Sequence, residues 1–214
     1  HETALLHIRR MVDLASKEGF GFFQLLGMFY LGLNQALQAL ANRRTQSDTQ
    51  IKEGLSKMEQ AVAIKRDSGS PLGMSSHLIQ LAAVYGQIGQ TQEGLQLLDE
   101  AQTLVKKNGS HYFEPELYRV KGELLQQGSP DLIQAEAAEK CFCQAIEIAQ
   151  KQQARHCELR ATFSLCQLWQ QQGKATAAHE LLSTIFGWFT EGFEMPDLRE
   201  AQKLLAELKM GAEI

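Results

Sequence analysis

Apolar residues recur at spacings of three and four along almost the whole chain, and no sustained strand-like alternation interrupts them. That pattern predicts helices from end to end. Start and stop signals divide it. Pro71, Pro115, Pro130 and Pro196 stand where a helix can begin without needing an N–H, and the serines before Pro71 and Pro130 can cap. Gly19, Gly69, Gly109, Gly128 and Gly173 are placed to close helices with a left-handed residue. The expectation is an all-α chain of short helices joined by tight turns.

The pieces repeat. Leu81, Ala82 and Tyr85 correspond to Leu165, Cys166 and Trp169; beyond them Gly89 matches Gly173, Gly94 matches Ala178, Leu98 matches Leu182 and Ala101 matches Ile185. Between these copies, Gly122 and Leu125 fill first-helix positions and Ala138, Phe142 and Ala145 second-helix positions, with an insertion around "SPDLIQ" lengthening the turn. A degenerate earlier copy has Gly54, Met58 and Ala61 on its second helix, after the apolar run "FGFFQLLGMFYLGLNQALQAL". Ala4, Ile8 and Met11 fit the second helix of a repeat whose first helix is missing. Small residues let one helix approach the next, while Tyr85, Leu125 and Trp169 are expected to fill the wedge beside a neighbouring hairpin. Each hairpin then carries an apolar face that only its neighbour can cover.

This spacing resembles the tetratricopeptide repeat, a helical hairpin of about 34 residues. The resemblance covers Ser75 to Asn108, Pro115 to Gln152 with its longer turn, Leu159 to Gly192 and, more weakly, Gly19 to Ser68. The tryptophan of the repeat signature is absent at its fourth position, and the closing proline is mostly absent. The implied fold is an all-α, tetratricopeptide-repeat-like, right-handed α-solenoid of antiparallel hairpins with a C-terminal capping helix. The expected segments are 1–19 (second helix of a truncated repeat), 20–69 (degenerate repeat), 70–109, 114–152 and 155–192 (repeats) and 195–210 (cap), all in one domain. Leu198, Ala201, Leu205 and Leu208 form the apolar face expected of the cap.

The stretches "ELYRVKGELL", "CFCQAIEIAQKQQARHCELRATFSLCQLWQQQGK" and "IFGWFTEGFEMPDLREAQKLL" carry a second resemblance. They are similar to the C-terminal repeat regions of large bacterial multidomain signalling proteins. In those proteins a class III nucleotidyl cyclase, kinase or DNA-binding domain precedes a signal-transduction ATPase and then the repeats. The resemblance implies a regulatory role in signal transduction and an upstream ATPase or effector domain as partner. A start at His1 with no methionine agrees with a segment of something longer.

Charge and composition narrow the classes. Net charge is -4 and the basic doublets Arg9-Arg10, Arg43-Arg44 and Lys106-Lys107 are scattered, whereas a phosphate backbone needs a contiguous basic face. No nucleic-acid partner is expected. No apolar run approaches the roughly 20 residues of a membrane span, and the N-terminus lacks signal-peptide form. The expectation is therefore cytoplasmic, with no membrane partner. Cys141 and Cys143 would point about 200° apart on a helix, which suits neither a disulfide nor a zinc knuckle, so the four cysteines Cys141, Cys143, Cys157 and Cys166 read as buried reduced thiols.

Candidate chemistry is thin. The "GKAT" at Gly173–Thr176 has the form of the end of a phosphate-binding loop, but the leading glycine falls at Leu168 and Ala175 replaces the hydroxyl that would hold magnesium. Cys157 beside His156 has no evident base and oxyanion site converging with it. His7, His77, His111 and His179 fall on different hairpins, and Asn108-Gly109-Ser110 reads as a helix-ending turn. No enzyme activity, cofactor or metal is expected. Phe186, Trp188, Phe189 and Phe193 are expected to seal the last hairpin under the cap, with docking as the alternative.

The remaining feature is a groove. In tetratricopeptide hairpins the first helices line the concave side, and transferring that register gives Ser76, Ile79, Ala83 and Gln87; Glu116, Arg119, Glu123 and Gln127; and Arg160, Phe163, Gln167 and Gln171. Arg119 and Arg160 offer fork-shaped donors to carboxylates, and the glutamines suit an extended backbone. The expectation is a non-catalytic scaffold for a peptide or protein segment; the alternatives are a small-molecule-sensing pocket within the superhelix and a structural oligomerisation arm. The helix from Glu2 to Lys17 presents Ala4, Ile8, Met11 and Ala15 on one face and Leu5 and Val12 on another, so self-association through that end is expected.

Overall fold

A computed structural model describes residues 2–42, 47–69, 72–109, 111–128 and 132–212, and among them are ten α-helices and no strand. The starts at Pro71 and Pro130, the Arg43-Arg44 doublet and Ser110 lie outside the described residues. The chain forms two compact units, His1–Ser110 and His111–Ile214.

In unit 1, α1 (Glu2–Glu18) lies on α2 (Gly21–Asn42), α2 pairs with α3 (Ser47–Asp67), and α4 (Met74–Gln87) pairs with α5 (Thr91–Asn108) while also touching α2 and α3. The α2–α3 pair is in close backbone contact at two glycines. A Cβ added at Gly32 would lie 2.5 Å from the Gly54 carbonyl oxygen, and one added at Gly54 would lie 2.8 Å from the Ala36 nitrogen. Backbone therefore meets backbone, and Phe29, Ala36, Met58 and Ala61 close the core around the contact. In the α4–α5 pair, Leu78, Leu81 and Ala82 are buried on α4 and Leu98, Ala101 and Val105 on α5.

In unit 2, a short 3-10 turn at His111–Phe113 leads into α6 (Glu114–Gly128), which pairs with α7 (Leu132–Lys151); α8 (Arg155–Gln171) pairs with α9 (Ala175–Phe186), and α10 (Pro196–Ala212) covers α9 and part of α8. Here a ring fills the space a side chain would take, since a Cβ at Gly122 would sit 2.5 Å from Cε1 of Phe142. Leu198, Ala201, Leu204 and Leu208 of α10 join Leu159, Cys166, Ala178, Leu182 and Ile185 in one core, with Leu205 only half-buried. The buried face of α10 thus uses Leu204 where the sequence pattern favours Leu205, one position and about 100° away on a helix.

The two wedge aromatics occupy matching settings. Tyr85 on α4 donates its hydroxyl to the Glu59 carboxylate on α3, and Trp169 on α8 donates its ring N–H to Glu139 Oε1 on α7 at 2.9 Å. Each therefore ties a first helix to the second helix of the preceding hairpin. The turns that follow them also match, with Gly89 at φ 81 and Gly173 at φ 75, a region that glycine enters without Cβ strain. Of the aromatic cluster, only Phe186 and Phe189 seal the α8–α10 core. Trp188 and Phe193 are 57% and 43% exposed; the Arg155 guanidinium lies 5.7 Å over the Trp188 ring.

Candidate functional site

The expected groove residues divide sharply by environment. Ile79 is only 1% exposed: α4 is covered by α2, α3 and α5 together, so Ile79 belongs to the core and presents no surface to a ligand. Ser76 is buried as well, and its hydroxyl donates to the Gly73 carbonyl at 2.9 Å. At the end of α4, Gln87 is exposed and lines an open cleft of about 780 Å³ with Leu37, Leu40 and Ile51.

In unit 2 the face shared by α6 and α8 has a built polar interior. Arg119 is 8% exposed. It donates from Nε and Nη2 to the two Glu116 oxygens at 2.8 and 2.6 Å, and from Nη1 to Glu123. The adjoining helix adds donors: Ser164 Oγ gives a hydrogen bond to Glu123 Oε1 at 2.9 Å, and Arg160 Nη1 lies 3.2 Å from Glu116 Oε1. From α10, Asp197 approaches Arg160 Nε at 3.8 Å and His156 Nε2 at 2.8 Å. Burial pushes the Glu116 carboxyl up, but Arg119 and then Arg160 pull harder and hold it below the usual carboxylate range. The Arg119 guanidinium is in turn held in its charged form, burial being outweighed by Glu116 and Glu123.

The Arg119 fork is thus already filled within α6, and the two carboxylates it holds carry the link to α8. Arg160 and Phe163 are half-buried, Glu123 is half-buried, and Gln127, Gln167 and Gln171 are exposed. Gln126 Nε2 donates to Gln171 Oε1 at 2.9 Å across α6 and α8. These side chains stand on α6 and α8, which the Glu116–Arg160 and Glu123–Ser164 contacts hold together, with the half-buried Phe163 packed against the α8–α10 core.

Among solved structures, the chain is similar to nearly identical TPR-like repeats from a protein of Podosopora anserina assigned as a kinesin light chain. The match has 23% identity and a TM-score of 0.57, covering 85% of this chain and 88% of that one. A single-substitution variant of those repeats aligns over the same shares at 22% identity and a TM-score of 0.58. The fold is all-α and tetratricopeptide-repeat-like. No family model and no curated protein matches the chain.

Within these TPR-like hairpins the cysteines depart from the expectation of uniform burial. Cys166 is buried, Cys141 and Cys157 are half-buried and Cys143 is exposed. Cys166 donates to the Ala178 carbonyl at 3.2 Å, and burial pushes its thiol up to about 12. Burial and then Glu116 also push the Cys157 thiol up, and its sequence neighbour His156 is engaged with Asp197. A thiolate nucleophile is disfavoured at both positions.

The sequence reading missed one polar pair. Lys65 on α3 is only 6% exposed, and its Nζ lies 3.3 Å from Nδ1 of buried His77 on α4. A signal was present: Lys65 falls on the apolar stripe Met58–Ala61–Lys65, where a charged residue is unexpected.

Proposed function

We propose that the protein is a non-catalytic scaffold that binds a peptide or protein segment, and that it serves as the regulatory repeat region of a multidomain bacterial signalling protein. The observation that carries this reading is the α6–α8 face: Arg160, Phe163, Gln127, Gln167 and Gln171 stand on a framework whose buried charges are already paired. Glutamine amides match the donors and acceptors of an extended backbone, Arg160 supplies a fork for a carboxylate, and Phe163 offers an apolar contact. The similarity of the α6–α10 sequence to repeat regions of bacterial signalling proteins supports an upstream ATPase or effector domain as second partner, in the cytoplasm. Among the described residues no helix is long and apolar enough to cross a membrane.

Titration with peptide and metabolite libraries tests the reading. Saturable peptide binding is expected, weakened about tenfold by the double change Gln127→Ala with Gln167→Ala, two exposed positions, at a nearly unchanged melting temperature. Saturable stabilisation by metabolites without any peptide binding would remove it. Self-association through the N-terminal end has its own support on other residues than the sequence pattern names: Ala15 is buried and Leu5, Ile8, Met11 and Val12 are half-buried, whereas Leu6 and Leu14 on α1 and Phe20 and Phe23 at the α1–α2 turn are exposed, and such clusters favour association. Light scattering over a dilution series decides that point, a strict monomer at high concentration eliminating self-association through the N-terminal end.

A further inference from the structure

Between α2, α3 and α4 of unit 1 lies a cavity of about 330 Å³ lined by Gly21, Phe22, Leu25, Leu26, Ala61, Lys65, Ser68 and His77. Its wall is apolar except at Ser68, whose hydroxyl donates to the Lys65 carbonyl at 2.8 Å, and at one further place. There Lys65 Nζ lies 3.3 Å from His77 Nδ1 and 5.4 Å over the Phe22 ring. Burial, and then Lys65, bring the His77 imidazole down to about 4, so it is neutral at pH 7. A neutral ring that accepts from an ammonium at Nδ1 carries its proton on Nε2. Burial also lowers Lys65 from its ordinary value, and while its ammonium is protonated the pair carries a single positive charge. Among the described residues no carboxylate lies within ion-pair distance of Lys65; the contacts found are an imidazole nitrogen and an aromatic face. A buried ammonium without an anion is costly, and here it stands at the wall of a cavity instead of inside a packed core.

We propose that this cavity is a binding site for a small monocarboxylate with an apolar body, the carboxylate meeting Lys65 and the body lying against Phe22, Leu25, Leu26 and Ala61. Size sets the length. At about 30 Å³ for each water-sized group, the volume holds on the order of ten non-hydrogen atoms, the count of a straight eight-carbon acid. The exposed Phe22 ring at the start of α2 stands both in the lining and over Lys65, so it covers the charged end. The site lies wholly within unit 1 and is independent of the peptide-binding reading of α6 and α8.

Octanoate, 1-octanol, butyrate and hexadecanoate titrated into the full chain by calorimetry test the proposal. Octanoate is expected to bind at one site, at least tenfold more tightly than 1-octanol of the same body, and more tightly than the shorter or longer acid. Lys65→Met is expected to weaken octanoate at least tenfold while leaving 1-octanol unchanged. Because that variant alters a buried position, methyl NMR of the unaltered protein gives an independent reading: octanoate is expected to shift Leu25, Leu26 and Ala61 before other methyls. Equal affinity for octanoate and octanol, absence of saturable octanoate binding, undiminished octanoate binding by folded Lys65→Met, or shifts centred elsewhere would each overturn it.

Discussion

Each unit buries a long-chain cation, and the two differ in what stands opposite it. In unit 2, Arg119 sits between Glu116 and Glu123 of its own helix, and those carboxylates take further donors from Ser164 and Arg160 on α8. In unit 1, Lys65 has an imidazole and a ring, with no carboxylate in reach among the described residues. Geometry explains the choice of residue. A guanidinium presents five donors in a plane and can be satisfied from several sides, whereas an ammonium is a compact, strongly hydrated charge that burial destabilises; burial accordingly brings Lys65 below its ordinary value. A buried cation with its anions in place is structural cement. One without them leaves an uncompensated charge at the edge of a cavity.

The largest expected effect separates these two cases. Arg119→Met should cost about 3–5 kcal/mol, because Glu116 would remain as a buried carboxylate with its main partner gone. Lys65→Met should change stability by less than about 1 kcal/mol, or increase it, since it removes an uncompensated charge and retains most of the stem volume. Urea denaturation of both variants, with hydrogen exchange to assign the loss to α6–α8 or α2–α4, measures the contrast. Equal losses would mean that the difference in pairing has no energetic weight.

The next effect comes from helix contacts, which also show how far the sequence could be read. Gly54→Ala places a Cβ 2.6 Å from the Gly32 oxygen and 2.8 Å from the Ala36 nitrogen; neither backbone atom can turn aside, so a cost of about 1–3 kcal/mol is expected. At Gly122 the nearest atoms to an added Cβ belong to the Phe142 ring, which can tilt, so Gly122→Ala should cost less by thermal denaturation. Gly54 and Gly122 were legible as small positions at matching offsets, as were the helices and most of their ends. Gly32 was not. The run around it is apolar nearly all round and offers no polar side from which to read a register. Transferring one register to every repeat failed at Ile79, which is buried in unit 1 although its counterpart Phe163 in unit 2 is only half-buried. Arg119 carried a warning in plain view, because Glu116 and Glu123 stand three before it and four after it, the spacing at which side chains on a helix meet.

Acid should distinguish the units by pH window. His77 in the folded chain titrates at about 4 against an ordinary value of 6.5, so between those values the unfolded chain binds a proton that the folded chain does not. Stability then rises with pH, and acidification through this window removes it at up to about 1.4 kcal/mol per pH unit. The lowered Glu116 carboxyl has its ordinary value at 4.5; its contribution is present above that value and is lost only as pH falls below it. Hydrogen exchange corrected for intrinsic rates should therefore show α2–α4 loosening between pH 6.5 and 4.5 while α6 and α8 stay protected. His77→Leu should flatten the first response, and an unchanged profile in that variant would assign it to another group.

The smallest effect probes what the units share. Tyr85 and Trp169 each fix a first helix to the preceding second helix through a carboxylate, Glu59 in one case and Glu139 in the other. Burial and the hydrogen bond to Glu59 hold the Tyr85 phenol well above its ordinary value, so it remains a donor throughout the neutral range. Tyr85→Phe and Trp169→Phe each remove that donor while keeping a ring in the wedge. For Tyr85→Phe the loss should be about 1 kcal/mol, the scale of one partly exposed hydrogen bond. Trp169→Phe also gives up ring area and should lose more, so the acceptors are compared instead: Glu139→Gln keeps an acceptor but also removes the charge that faces Lys174 Nζ at 3.6 Å, and should exceed Glu59→Gln by no more than about 0.5 kcal/mol. A clear inequality between those two changes would show that the matching positions, although equivalent in geometry, bear different loads.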